Sequence, residues 1–171
     1  MARKSGDKRP PDRDITGKET PQHITAVVLE ASLTARTPQL SHERQVAVND
    51  LIEWNHFALK EASGPYSLTL RGAENRIIFT VTSPHLEKPA TLAVPLGPFR
   101  GVIRDYFLIC ESYFEAVGTG NLARIEAIDM SRRGLHNEGS ELLMGLLGDK
   151  VDMDSETARR LFTLLSVLHL K

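Results

Sequence analysis

The sequence predicts an α+β fold: a small, mainly antiparallel sheet of about four strands from the first half, packed against about four to five helices, most of them in the second half. Three observations predict it. Short runs rich in β-branched residues, bounded by turn-forming residues, recur up to Leu96. From Gly97 onward the apolar residues instead return at three- and four-residue spacing, the period of a helix face. A chain of 171 residues, 41% hydrophobic and 25% charged, also has the balance of a globular protein with its own core.

The first 22 residues stand apart from this pattern. Arg3, Lys4, Lys8, Arg9, Arg13 and Lys18 are interspersed with Asp7, Asp12, Asp14 and Glu19, and Ile15 is their one branched aliphatic. Such a segment buries too little apolar surface to offset its ordering entropy. Residues 1–22 are therefore expected to be a disordered, solubilising tail, and 23–171 a single domain. Within that domain, His23-Ile24-Thr25-Ala26-Val27-Val28-Leu29-Glu30 reads as a strand. After Pro38 and Ser41 the period changes, and Ala47, Leu51, Trp54 and Ala58 fall on one face of a helix starting near Ser41.

Two runs, 66–71 and 76–82, are separated by Gly72-Ala73-Glu74-Asn75 and predict a hairpin, while 90–96 supplies a further strand. Alternation of Leu68 and Leu70 with Ser67 and Thr69 places one sheet face against a core. Gly97 and Pro98 suit a helix start. Phe99, Ile103, Tyr106, Cys110, Phe114 and Val117 then trace an apolar stripe, on which Cys110 is a packed thiol. The letters Gly118-Thr119-Gly120-Asn121-Leu122-Ala123 match a dinucleotide-binding glycine motif, but a helix precedes them where a strand is required, so they read as an interhelical turn. His42-Glu43-Arg44-Gln45-Val46 likewise has valine where a zinc protease needs its second histidine. The last helix is expected to start at Asp154 or Ser155 and to bury Ala158, Leu161, Phe162, Leu165 and Leu168.

Composition removes several function classes. The single cysteine forms no internal disulfide and argues against zinc-ribbon and thioredoxin-type sites. No apolar run approaches the roughly 20 residues needed to cross a bilayer, and no apolar signal segment follows the N-terminus, so no membrane contact and a cytoplasmic location are expected. A net charge of -1 argues against a nucleic-acid partner.

Scaffold packing does not account for the stretch from Asp129 to Glu141. Two local structures are coherent there. In a broken helix, Gly134 takes a left-handed cap and Asn137 caps a second helix whose first turn holds Glu138, Gly139 and Ser140. Arg132, Arg133 and His136 then gather around free backbone N–H groups, which suits an anion. In one continuous helix, Asp129 with Arg133 and Arg132 with His136 form a polar ridge of i, i+4 pairs, and the glycines permit close helix approach.

This stretch, with Asp105-Tyr106-Phe107, Ile109-Cys110-Glu111-Ser112-Tyr113, Arg124-Ile125-Glu126-Ala127-Ile128-Asp129-Met130, Arg132-Arg133-Gly134-Leu135-His136-Asn137-Glu138-Gly139 and Thr157-Ala158-Arg159-Arg160-Leu161-Phe162, resembles uncharacterised protein family 0262, a group of small bacterial proteins. The resemblance spans roughly residues 23–171. It implies a bacterial, cytoplasmic, single-domain protein, and it implies no activity, cofactor or catalytic residue.

Two functions follow as expectations. The first is a non-enzymatic regulatory or protein-interaction module, in which exposed Arg132, Arg133, Asn137 and Glu138 contact another protein or a second copy. No complete catalytic constellation opposes it. The second is a site for a phosphate ligand, an anionic small molecule or an RNA phosphodiester. There Arg132 and Arg133 hold the anion, His136 exchanges a proton, and Asp129 or Glu138 orients the imidazole, with Ser140 alongside. The neighbouring arginines would repel a cation, so neither a metal nor another cofactor is expected.

Overall fold

The computed structural model describes residues 22–30, Leu33 and residues 38–169; the expected tail, apart from Gln22, lies outside them. Strand β1 (Ile24–Leu29) is followed by helix α1 (Pro38–Glu53), β2 (Phe57–Leu59), β3 (Tyr66–Ala73), β4 (Arg76–Thr82) and β5 (Ala90–Pro95). A single 3-10 turn (Gly97–Phe99) leads into α2 (Arg100–Thr119), α3 (Leu122–Leu147), β6 (Val151–Met153) and α4 (Ser155–His169). The fold is α+β, and its main sheet has the order β1-β3-β4-β5.

The register follows from side-chain alternation. Strand β4 pairs antiparallel with both β3 and β5, bringing Leu70 opposite Phe79 and Phe79 opposite Leu92. All three are buried, so a one-residue slip would turn this row outward. Strand β1 instead lies parallel to β3, with Val27 beside Leu68 and Leu29 beside Leu70, because α1 intervenes and returns the chain to the same end of the sheet. Between β3 and β4 the turn is tighter than the sequence suggests: Ala73 pairs with Arg76, leaving Glu74 and Asn75 as the loop. Asn75 takes φ 58°, a left-handed conformation that asparagine tolerates better than most residues.

Helix α1 begins at Pro38 and ends at Glu53, so Trp54 and Ala58 leave the face expected for them, and Ala58 becomes the middle residue of β2. Asn55 is the reason. Its side-chain amide donates to the Leu51 carbonyl at 2.9 Å and to the Ile24 carbonyl at 3.0 Å, and its Oδ1 accepts the Ile24 N–H at 2.7 Å. A buried side chain thus takes a carbonyl at the end of the helix and binds it to β1. Strand β2 pairs antiparallel with β6, which lies just before α4. Asp154 caps α4 as expected, accepting the Thr157 N–H at 3.0 Å.

Helix α4 packs against both α1 and α3, and its expected stripe is buried throughout. The Phe99 and Phe162 rings stack at 6.3 Å where α2 begins. Helix α2 runs chiefly along α3, to which it is joined by Gly120 at φ 70°. Gly120 N–H reaches the Ala116 and Val117 carbonyls, both at 3.2 Å, and Asn121 then caps α3 by accepting the Arg124 N–H at 3.1 Å. The α2 stripe is buried at its start only. Phe99 and Ile103 are covered, Tyr106 and Cys110 are half-buried, and Phe114 and Val117, toward the turn into α3, are exposed.

Candidate functional site

Helix α3 runs without a break through the stretch that held two alternatives. Gly134 is not a cap and Asn137 opens no second helix, so the free N–H groups of the anion-site arrangement are absent: the helical ladder uses them. The continuous ridge is the structure adopted. Asp129 organises it, with Oδ1 pairing with Arg132 Nη2 at 2.5 Å and Oδ2 pairing with Arg133 Nη2 at 3.1 Å. Arg132 is half-buried, and its guanidinium lies 4.7 Å from the centre of the Tyr113 ring on α2. Arg133 remains exposed.

His136 sits deeper, between helices. Its ring centre is 4.9 Å from that of Tyr106 and 6.2 Å from that of Phe162. Nε2 is buried and has no hydrogen-bond partner among the described residues. Burial, then the positive charges of Arg159 and Arg132, push its pKa down to about 4 against the opposing pull of Glu156. The imidazole is therefore neutral near pH 7, unlike the cation an anion clamp would use. Ser140 is buried and donates to the Asn137 carbonyl at 3.0 Å, while Asn137 and Glu138 point away at the surface. The predicted residues thus divide between an inner set, Asp129, Arg132 and His136, an exposed set, Arg133, Asn137 and Glu138, and Ser140 in the helix contact.

Around the inner set the structure adds Tyr106, Cys110 and Arg159, none of which the sequence reading gave a polar role. Burial pushes the Tyr106 hydroxyl up to about 12, helped by the Cys110 thiol with which it forms a hydrogen bond. Burial likewise pushes the Cys110 thiol up, so it stays protonated and is a poor nucleophile. Arg159 pairs with Glu156 at 3.2 Å and keeps a buried Nε without a partner among the described residues. Tyr106 and Cys110 are spaced i, i+4 and face the Arg132–His136 ridge, a pairing visible only once the two helices are known to be adjacent. Together these groups form a polar seam in which two carboxylates are each shared by two guanidinium groups, Asp129 by Arg132 and Arg133 and Glu156 by Arg159 and Arg160. Among the described residues no group of three or more His, Cys, Asp or Glu is placed to hold a metal ion.

Elsewhere on α3, a shallow hollow of about 430 Å³ is lined by Glu138, Glu141, Leu142, Gly145 and Leu146. Its two carboxylates oppose anion binding. The more prominent surface feature is the outer half of the α2–α3 hairpin, where Phe114 is 76% exposed, Leu122 74% and Met130 72%, with Val117 also exposed. Several large apolar side chains exposed on one helical hairpin are a feature of contact surfaces. No helix among the described residues is long and apolar enough to cross a membrane.

Comparison with known proteins places the chain by descent. Residues 21–171 match the Uncharacterised protein family (UPF0262), and the chain belongs to that family. It is 47% identical to a UPF0262 protein of Rhodospirillum rubrum over 152 residues, covering 89% of this chain and 94% of the relative. It is 52% identical to one of Hyphomonas neptunium over 141 residues, covering 82% and 87%, and 49% identical to one of Rhizobium etli over 144 residues, covering 84% and 92%. No solved structure matches.

Proposed function

We propose that this member of the uncharacterised bacterial family is a non-enzymatic cytoplasmic protein-interaction module whose contact surface is the outer half of the α2–α3 hairpin. The observation that carries the reading is the exposure of Phe114, Leu122 and Met130 on the α2–α3 hairpin. Burying such side chains against a partner removes roughly 1.5–3 kcal/mol of apolar exposure each. The contact surface is displaced from the Arg132, Arg133, Asn137 and Glu138 patch that the sequence suggested, since Asp129 already occupies both guanidinium groups.

The phosphate-ligand alternative loses its support at the same place. A bound anion would compete with Asp129 for Arg132, and neutral His136 adds no charge. The test is a photo-activatable residue substituted at Phe114 or Leu122 and, as a control, at Arg71 on the exposed side of β3, in a bacterium that carries the family. Protein adducts at the two hairpin positions and none at Arg71 support the module. A nucleotide or phosphorylated metabolite that raises the melting temperature of the purified chain, with the shift abolished by Arg132→Ala, overturns it in favour of the anion site.

A further inference from the structure

The outward face of α2 carries Gly101, Arg104, Leu108, Glu111, Glu115 and Gly118, all exposed and spaced alternately three and four residues apart, so they form one stripe. The stripe is self-complementary on reversal. Laying a second α2 antiparallel along it sets Gly101 against Gly118, Arg104 against Glu115 and Leu108 against Glu111. The charges at the two ends of the helix also run against it: Arg100 and Arg104 lie near its positive N-terminal end, where Asp105 offsets one of them, and Glu115 lies near its negative C-terminal end. Internal pairing does little to correct this. Among the described residues Arg104 pairs with its neighbour Asp105, at 3.4 Å with both side chains exposed, and Glu115 stands 3.9 Å from Arg124.

An antiparallel copy corrects both faults at once, because its acidic half covers the basic half and the two helix dipoles oppose. The glycines at the ends of the stripe point the same way. Positions 101 and 118 have nothing within 4 Å of where a Cβ would stand, so packing among the described residues does not require glycine at either one. A second backbone approaching closely would make use of it. Leu108, 56% exposed, supplies apolar area between the charged ends.

We propose that two copies of this chain pair through the outward face of α2, antiparallel across a two-fold axis, with Arg104 of each copy facing Glu115 of the other. The proposal rests on the reading of the chain as an interaction module, names a second copy as its partner, and uses the outward face of α2 rather than Leu122 and Met130. Sedimentation equilibrium of the full chain tests it. The expected result is a reversible dimer that weakens as salt is raised, at least tenfold weaker for Arg104→Glu and for Glu115→Arg, and restored in the charge-swapped double variant. Both positions are exposed, and thermal melts of all variants verify folding. A wild-type chain that stays monomeric up to about 100 µM, where interfaces of micromolar affinity are populated, overturns the self-pairing. A dimer indifferent to both single changes overturns the α2 face as its contact. Adducts to a different protein at Phe114 and Leu122 beside a monomeric chain would overturn self-pairing alone and leave the module reading standing; no adducts and no dimer would overturn both.

Discussion

The Phe162 ring of α4 lies directly against the bare Cα of Gly139 on α3, in the space where a Cβ would stand. Both residues are buried, and the contact lies close to the point where the Phe162 ring meets those of Tyr106 and His136. The close approach of α4 to α3 therefore depends on a missing side chain. Glycine in a helix interior costs about 0.8–1.0 kcal/mol relative to alanine, and here the packing of an aromatic ring offsets that cost.

Gly139→Ala is expected to destabilise the protein despite its better helix propensity. Overpacking a filled contact costs about 1–3 kcal/mol, against a propensity gain of at most about 1. Urea denaturation measures the difference. A variant as stable as the parent or more so would mean that Phe162 turns aside at no cost, and that the glycine does not set the helix spacing.

Gly134, five residues earlier in the same helix, predicts the reverse. It is exposed, and nothing lies within 4 Å of its Cβ position. Gly134→Ala should stabilise the chain by up to about 0.8–1.0 kcal/mol, the propensity difference alone. A destabilised variant in the same denaturation experiment would show that the helix uses a conformation at Gly134 that alanine resists. Nothing in the structure explains why glycine stands at this position.

These two residues also show what the sequence could and could not reveal. Each glycine weakens a helix, and together they made a break at Gly134 as coherent as continuity; only the ring of Phe162 in a distant helix separates their roles. The hairpin of β3 and β4 was legible because its alternation and its turn are local. Strands β2 and β6 were not, since each has three residues and finds its partner across most of the chain. On α2 the apolar spacing was read correctly, yet Phe114 is exposed because burial depends on which elements pack against each turn of the helix. Membership of the candidate site was partly legible: Asp129, Arg132 and His136 do face one seam, whereas Tyr106 and Arg159 join it only through tertiary packing.

The ridge on α3 yields a ranking of losses. Asp129→Ala leaves both arginines without their counter-ion, and Arg132→Ala also ends the contact with Tyr113. Each should cost about 1–2 kcal/mol, between the values for exposed and for buried ion pairs. Arg133 has 71% of its side chain exposed, so Arg133→Ala should cost less than about 0.5 kcal/mol. Thermal melts of the three single variants give the order directly. Equal losses at Arg132 and Arg133 would mean that half-burial and the Tyr113 ring add nothing to the Asp129 pairing.

His136 supplies the pH dependence. Its folded pKa, about 4, lies below the ordinary value of 6.5 because Phe162, Tyr106 and the charges of Arg132 and Arg159 surround it, with Glu156 the opposing acid. As pH falls through 6.5 the unfolded chain takes up a proton there that the folded chain refuses, so stability drops until about pH 4, where the folded ring also protonates and this contribution levels off. The full contribution is present above pH 6.5. His136→Leu removes the titrating group and the unpartnered Nε2 while keeping an apolar side chain against Phe162, so its stability relative to the parent should rise steadily across that window. Denaturation series at several pH values compare the two. Parallel curves between pH 6.5 and 4 would show that the imidazole titrates alike in both states and that the seam does not hold it neutral.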